Sequence, residues 1–185
     1  MRKKLLNLLL AITTFALSVS INAELMDNGK YTLDTKTGLD WLDLTETKGM
    51  SYSFVLSQFK SGGQFEGWEF ATREQLNVFL SDAGYVEGLK PGGNLSAITN
   101  LLDLWGVISL RSNKELGDQS KFMYGVPYAA GLPKKINNRV YVGSVAKSGA
   151  IGKERALVLL NKVQASLSID ESNDKTGSAL IRKRQ

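Results

Sequence analysis

The alternation of apolar and polar residues predicts two early strands, three helices and a series of late strands. Residues 24–33 are expected to form a hairpin because they contain an Asp-Asn-Gly turn signal. A second turn over residues 34–38 leads into a strand at 39–44, whose largest side chain is Trp41. We expect Trp41 in the core, with a carbonyl or carboxylate accepting its indole N–H, because a buried Trp usually has such a partner.

Three helices are predicted from apolar residues that recur at helical spacing. The first begins at Ser51 and ends at the glycine pair 62–63. The second begins at Thr72, which forms a capping-box pattern with Gln75, and the third is capped by Asn94 or Ser96. The three apolar stripes are Tyr52, Val55, Leu56 and Phe59; Leu76, Phe79, Leu80 and Ala83; and Leu95, Ile98, Leu102 and Trp105.

Beyond residue 106 the chain changes to short strand-like segments separated by polar loops. The candidate strands are 107–110, 122–126, 139–146, 155–161, 163–169 and 178–181. No internal repeat or linker divides the chain. The order of strands, helices and strands predicts a single α+β domain over residues 24–185, with a mixed or antiparallel sheet and two to three helices in its N-terminal half. We expect the early strands to share a sheet with the last one.

The first 23 residues have the layout of a secretory signal peptide. A basic segment at 2–4 precedes a mostly apolar segment at 5–19, and Ala23 is a small residue that a signal peptidase accepts. The alternative is an uncleaved membrane anchor, but polar residues interrupt the apolar segment and make it a poor span. We therefore expect cleavage after Ala23, a secreted or periplasmic protein of 185 − 23 = 162 residues, and no membrane span in the mature protein.

The composition removes several classes of site. The chain has no His and no Cys, which excludes Ser-His-Asp and Cys-His catalysis and thiolate or imidazole metal sites. An exported chain without disulfides is typical of a bacterial envelope or medium.

Without the leader, the net charge of +5 falls to 5 − 3 = +2, and the basic run at 182–184 is interpreted as a solvated tail. No basic stripe follows any element, so we expect no nucleic-acid partner.

Carboxylates are the remaining candidates for reactive or metal-binding groups. Asp40 and Asp43 would point to opposite faces of a regular strand, and we interpret both as solvent-exposed. The turn at 170–174 is rich in oxygen ligands, and its candidate calcium ligands are Asp170, Glu171 and Asp174. The turn lacks the Gly and the full spacing of a calcium loop, so an ordinary polar turn is the favoured interpretation and no cofactor is expected.

The three Trp residues allow two interpretations, since an exposed aromatic ring can stack on a sugar whereas a buried one fills the core. Trp41 and Trp105 lie on apolar faces and Trp68 lies between two Phe residues, so we predict core positions for all three. The glutamates near Trp68 are Glu66, Glu69 and Glu74. They are candidates for a surface cleft, although the helix macrodipole by itself favours Glu74 in the first turn of the second helix.

Three segments resemble, in this order, a group of exported bacterial proteins of unknown function, many of which carry a C-terminal Pro-Glu-Pro sorting tail. The segments are TGLDWLDLTET at 37–47, GWEFATREQL at 67–76 and GSALIR at 177–182. More distantly, they are similar to the C-terminal domain family of collagen-like bacterial adhesins. That family has a Thr-Gly-Leu-x-Trp opening, a Gly-x-Trp-Arg-Leu-Pro-Thr segment before a helix, and a closing strand near a Val-Arg.

The resemblance implies export, a fold like that of C-type lectins, and binding of a surface glycan. Several features depart from the pattern. Glu69 and Ala71 stand where the adhesin family has Arg and Pro, and residues 110–156 match nothing in either group. The disulfides and the Glu-Pro-Asn calcium signature of C-type lectins are also absent.

The sequence therefore favours an exported, non-catalytic protein that binds a surface glycan or an extracellular matrix component. One alternative is a structural or assembly component of the cell envelope or exopolysaccharide matrix, with envelope proteins as partners. A third is a carboxylate-dependent glycosidase, which would need two carboxyl groups about 5 to 10 Å apart. No residue is assigned a catalytic role, and the residues that contact a polysaccharide are not identified from the sequence.

Overall fold

The structure is a computed structural model that describes residues 24–89, 92–106, 109–112, 121–125, 127–128, 139–142, 144–148, 155–159, 165–172, 174 and 176–184. The predicted leader and the cleavage site after Ala23 lie outside these residues. The described residues contain three α-helices and a five-stranded antiparallel sheet, which confirms the predicted single α+β domain. Among them, no helix has both the length and the apolar character that crossing a membrane requires.

The elements follow the chain in the predicted order of strands, helices and strands. The strands are β1 (Leu25–Asp27), β2 (Tyr31–Asp34), β3 (Leu39–Leu42), β4 (Glu69–Phe70), β5 (Ser109–Ser112), β6 (Lys121–Gly125), β7 (Pro127–Tyr128), β8 (Arg139–Val142), β9 (Ser144–Ser148), β10 (Arg155–Leu159), β11 (Ala165–Ser168), β12 (Gly177–Ser178) and β13 (Leu180–Lys183). The helices are α1 (Tyr52–Ser57), α2 (Arg73–Asp82) and α3 (Leu95–Trp105), and a 3₁₀ helix spans Leu44–Thr47.

The main sheet has the strand order β1-β2-β3-β13-β4, so the last strand lies between β3 and β4. This confirms that the early strands share a sheet with the last one. In the antiparallel register, Ile181 lies opposite Trp41 and Arg182 lies opposite Asp40. Because neighbouring side chains on a strand point to opposite faces, Trp41 and Ile181 share one face and Asp40 and Arg182 share the other.

Helices α2 and α3 cover the face that carries Trp41. Trp41 is fully buried, stacks on Phe79 with a centroid distance of 4.2 Å, and meets Trp105 edge-on at 5.9 Å. Trp41 and the stripe of α2 therefore share one core, as predicted. The prediction of a carbonyl or carboxylate acceptor for the Trp41 indole N–H is wrong, because Trp41 Nε1 has no hydrogen-bond partner in the described part of the chain. The indole N–H of Trp105 donates to the Leu42 carbonyl at 2.9 Å instead.

The opposite face of the sheet is covered by α1 and the segment that follows it, residues 58–68. Val55 and Phe65 are buried there, together with Leu42 and Leu180 from the sheet. Helix α1 is shorter than predicted, and Leu56 of the predicted stripe is 50% exposed. The chain turns back early because the backbone carbonyl of Gln58 accepts from the Phe65 amide.

The predicted caps of α1 and α2 are confirmed. The Ser51 hydroxyl accepts from the Phe54 amide at 3.2 Å, and Thr72 and Gln75 form the complete capping box. Asn94 occupies the cap position of α3 but makes no capping bond. Its side-chain amide bonds the backbone N–H and carbonyl of Val86 instead, which ties the preceding loop to the start of the helix.

The later strands form a second, four-stranded sheet in the order β10-β9-β6-β5 and two separate pairs, β11-β8 and β12-β7. The strand predicted at 139–146 is two strands, β8 and β9, that belong to different sheets. The polar loops predicted over 112–121 and 128–138 lie mostly outside the described residues.

Candidate functional site

A cleft of about 840 Å³ opens on the face of the main sheet that carries Asp40 and Arg182. The segment after α1 covers the neighbouring part of this face with Phe59 and Trp68, and both residues line the cleft. Tyr31 contributes a third aromatic ring from β2. The cleft therefore forms on the Asp40–Arg182 face, at the border of the region that α1 and the segment after it cover.

The Asp40–Arg182 ion pair lies in this cleft. Nη2 and Nε of Arg182 both donate to Oδ2 of Asp40, at 2.8 and 3.2 Å. Asp40 is only 3% exposed, so its predicted solvent exposure is wrong. The Asp40 side chain does lie on the face of the sheet opposite Trp41, but that face is also covered. Arg182 is not part of a solvated tail, because it lies on a strand inside the main sheet.

The guanidinium of Arg182 packs against two aromatic rings. Its Cζ lies 4.4 Å from the ring centroid of Trp68 and 5.4 Å from that of Tyr31. The two rings meet at 65°, with centroids 6.4 Å apart. Such cation–π contacts are worth about 0.5 to 2 kcal/mol, depending on desolvation. Arg182 is thereby held by Asp40 at one edge of its guanidinium, while its Cζ lies over two aromatic rings.

Trp68 is half-buried at the rim of the cleft, so its predicted core position is wrong, whereas Trp41 and Trp105 are buried as predicted. The Trp68 amide donates to the Phe65 carbonyl at 3.1 Å, in a turn that directs Phe65 into the core. A position between two Phe residues does not guarantee burial when the backbone turns between them.

The glutamates predicted near Trp68 separate into two groups. Glu66 and Glu69 line the cleft, whereas Glu74 lies in the first turn of α2 and is not among the lining residues. Oε2 of Glu66 accepts from the Gly62 amide at 2.7 Å and so stabilises the turn after α1. Glu69 is exposed on the edge strand β4.

Charges of both signs line the cleft in equal number. The acidic residues are Asp40, Glu66 and Glu69, and the basic residues are Arg182, Lys183 and Arg184. Asp40 is paired with Arg182 and Glu66 is bonded within its own turn. Of the exposed charges, that of Arg184 is the most accessible to a ligand on the Arg182 side, because the register places Glu69 opposite Ile181 and Lys183 opposite Leu39, on the Trp41 face.

Asp43 lies outside the residues that line the cleft, and it is also buried rather than exposed as predicted. It follows the end of β3, where its backbone N–H donates to the Lys30 carbonyl at 3.0 Å. Its Oδ1 has no hydrogen-bond partner among the described residues. Burial, with the nearby charges of Asp27 and Glu46, raises the pKa of Asp43 from 3.8 to about 7.

The candidate calcium ligands Asp170, Glu171 and Asp174 are all exposed. Oε2 of Glu171 accepts from the Ser168 amide at 3.3 Å, and the Glu171 amide donates to the Ser168 carbonyl at 3.0 Å. In the part of the chain that the structure describes, no three acidic residues are gathered in a way that could hold a metal ion. The described geometry at this site is that of a hydrogen-bonded turn.

Sequence reasoning missed the basic and aromatic parts of the cleft. A usable signal existed, because Arg182 directly follows the strand predicted at 178–181 and continues its alternation with Leu180 and Ile181 if that strand is extended by one residue. That pattern places Arg182 on a sheet face rather than in a tail.

Comparison with known proteins gives no assignment: no protein-family model, no curated protein and no solved structure matches this chain.

Proposed function

We propose that this is an exported, non-catalytic protein that binds a glycan in the cleft beside Trp68. The observation that carries the proposal is the pairing of partly exposed aromatic rings, those of Trp68 and Tyr31, with charged side chains in one open cleft. A sugar ring has an apolar face of C–H groups and an edge of hydroxyl groups. Ligand sites that combine aromatic surface with a few polar groups suit such a molecule.

The state of the acidic residues supports binding without turnover. A glycosidase needs one carboxyl group as acid and a second as base or nucleophile, both aimed at the same bond. Asp40 is occupied by Arg182, and Glu66 is occupied by the Gly62 amide. This leaves Glu69 as the acidic group of the cleft without such a bond in the described structure.

Export is proposed from the leader, and a fold like that of C-type lectins is proposed from the resemblance of 37–47, 67–76 and 177–182 to the adhesin family. The first segment contains β3, the second contains β4 and the start of α2, and the third contributes to β13. All three reach the cleft, through Asp40, Trp68 and Arg182. The segments that carry the resemblance are thus the ones that build the proposed site.

The test is a titration of the purified protein with neutral, uronate-containing and sulfated polysaccharides, with and without a chelator. Isothermal titration calorimetry measures binding of each variant, and the fluorescence of Trp68, the half-exposed Trp, reports occupancy of the cleft in the variants that retain it. We expect Trp68→Ala to weaken binding at least tenfold in the calorimetric titration. Phe54→Ala is the matched control, because Phe54 is an exposed aromatic residue that does not line the cleft, and this variant should bind normally.

The same mixtures are assayed for released reducing ends. Release that disappears in Glu69→Gln would reject the binding proposal in favour of a glycosidase. Failure to bind any polysaccharide would favour the structural or assembly alternative, with envelope proteins as partners.

A further inference from the structure

Arg182 presents an unused edge to the cleft. A guanidinium has five N–H donors in a planar fork, and Asp40 receives the Nε donor and one from Nη2. The two donors on Nη1 and the second on Nη2 have no acceptor among the described residues. The Arg182 side chain is 37% exposed, and its Cζ lies over the rings of Trp68 and Tyr31. The edge formed by Nη1 and Nη2 is therefore the part that is free to contact a ligand.

The chemistry of this edge selects its acceptor. Two parallel N–H groups of a guanidinium match the two oxygens of a carboxylate, and charge-assisted bonds of this kind are roughly twice as strong as neutral ones. Asp40 holds the fork in one orientation, so little conformational freedom remains to be lost when a second acceptor binds. A neutral hydroxyl group would use only one of these donors at a time.

The rest of the cleft modulates this preference. Arg184 is exposed and adds a positive charge beside the Arg182 edge. Glu69 and Lys183 are exposed charges of opposite sign on the Trp41 face, and Oε2 of Glu66 is held by the Gly62 amide. Because Asp40 already offsets the charge of Arg182, the attraction for an anion depends strongly on Arg184 and should weaken with salt.

We propose that the ligand is a glycan that carries carboxylate groups, such as a polymer of uronic acids. This inference rests on the proposed function, because it assigns a ligand class to the same cleft. One uronate carboxylate accepts from Nη1 and Nη2 of Arg182, and a sugar ring of the chain lies against Trp68. Arg184 attracts a neighbouring carboxylate.

The experiment compares each acidic glycan with a form in which only the carboxylate is blocked. The probes are oligomers of galacturonate, guluronate and glucuronate, each beside its methyl ester, titrated at low ionic strength with Trp fluorescence as the readout. We expect at least one carboxylate form to bind tenfold or more tightly than its ester. Raising the salt concentration should reduce this ratio.

Charge variants separate recognition of the carboxylate from general binding. Arg184→Gln should weaken binding of the carboxylate form about two- to fivefold and leave the ester unchanged, and because Arg184 is exposed the fold should be retained. Lys183→Gln removes the same charge from the Trp41 face, so it is the matched control and should have a smaller effect. Arg182→Lys keeps the charge but removes the paired edge, so it should abolish most of the discrimination. Thermal unfolding of each variant checks that the fold is retained.

The outcomes separate this inference from the function on which it rests. Equal Trp68-dependent binding of acid and ester forms, or binding of neutral glycans alone, would overturn the carboxylate assignment and leave glycan binding intact. Absence of binding to every acidic, esterified, neutral and sulfated probe would overturn both.

Discussion

Arg182 and Asp40 join two distant parts of the chain by two hydrogen bonds to a single carboxylate oxygen, although they lie 142 positions apart. They are opposite each other on β13 and β3, the neighbouring central strands of the main sheet. The strand that completes the sheet thus also supplies the central cation of the cleft. Folding of the sheet and formation of the proposed site depend on the same pairing.

Loss of Arg182 should destabilise the fold more than loss of the Asp40 charge. Arg182→Met leaves a carboxylate that is 3% exposed without its cation, and we expect a cost of about 2 to 3 kcal/mol. Asp40→Asn removes the buried charge itself and should cost about 1 kcal/mol. Urea denaturation of each variant and of the double variant measures these values.

The double variant is the decisive member of this set. Because both single changes break one interaction, their combination should cost clearly less than the sum of the two. Strict additivity would show that the Asp40–Arg182 contact contributes nothing to stability.

Truncation of Trp41 should be among the most destabilising single changes. Its ring is fully buried and stacks on Phe79, so Trp41→Ala should cost about 3 to 5 kcal/mol. The matched control is Val78→Ala on the exposed side of α2, which should change the free energy of unfolding by less than about 0.5 kcal/mol. A Trp41→Ala change as small as the control would place Trp41 outside the core.

Asp43 should make the protein less stable as the pH rises from about 4 to 7. Its pKa is about 7 in the folded protein and near 3.8 when unfolded, so the folded state binds the proton more tightly between these values. Stability is therefore greatest where Asp43 is protonated, and it falls until the folded carboxyl has ionised. Above pH 7 the penalty is on the order of 2 kcal/mol, because residual solvent contact screens the carboxyl.

Asp43→Asn should remove this penalty. The variant should gain on the order of 2 kcal/mol relative to the wild-type protein when the pH is raised from 5 to 8. Denaturation at both pH values measures the gain, and Asp103→Asn, which removes an exposed charge from α3, is the control. An equal effect of Asp43→Asn at both pH values would contradict burial of an ionisable Asp43 carboxyl.

Export with cleavage after Ala23 predicts a defined mature terminus. N-terminal sequencing of the protein recovered from the periplasm or medium of a bacterial host should begin at Glu24. Replacing Ala23 by a bulky residue should slow processing, because signal peptidase requires a small side chain there. A protein that still begins at Met1 and remains in the membrane fraction would reject the interpretation of a cleaved signal peptide.

Features that depend on neighbours along the chain follow from local patterns of residues. The capping box of Thr72 and Gln75 joins residues three positions apart, and the stripe of α2 follows from helical periodicity. The glycine after α2, Gly84, takes a φ of +89°, as expected for a residue that ends a helix. Trp41 was also placed correctly, because it is a large apolar residue in a strand next to such helices.

The burial of the face of the main sheet opposite Trp41 depends on contacts between distant segments. Alternation correctly separates Asp40 from Trp41, but it does not state whether the face opposite the core is solvated or covered. Here α1 and the segment after it cover that face, which buries Asp40 and leaves Trp68 at the rim. The partner of Asp40 comes from a strand near the other end of the chain. A contact of this kind is set by strand order and register, which local patterns in the sequence do not contain.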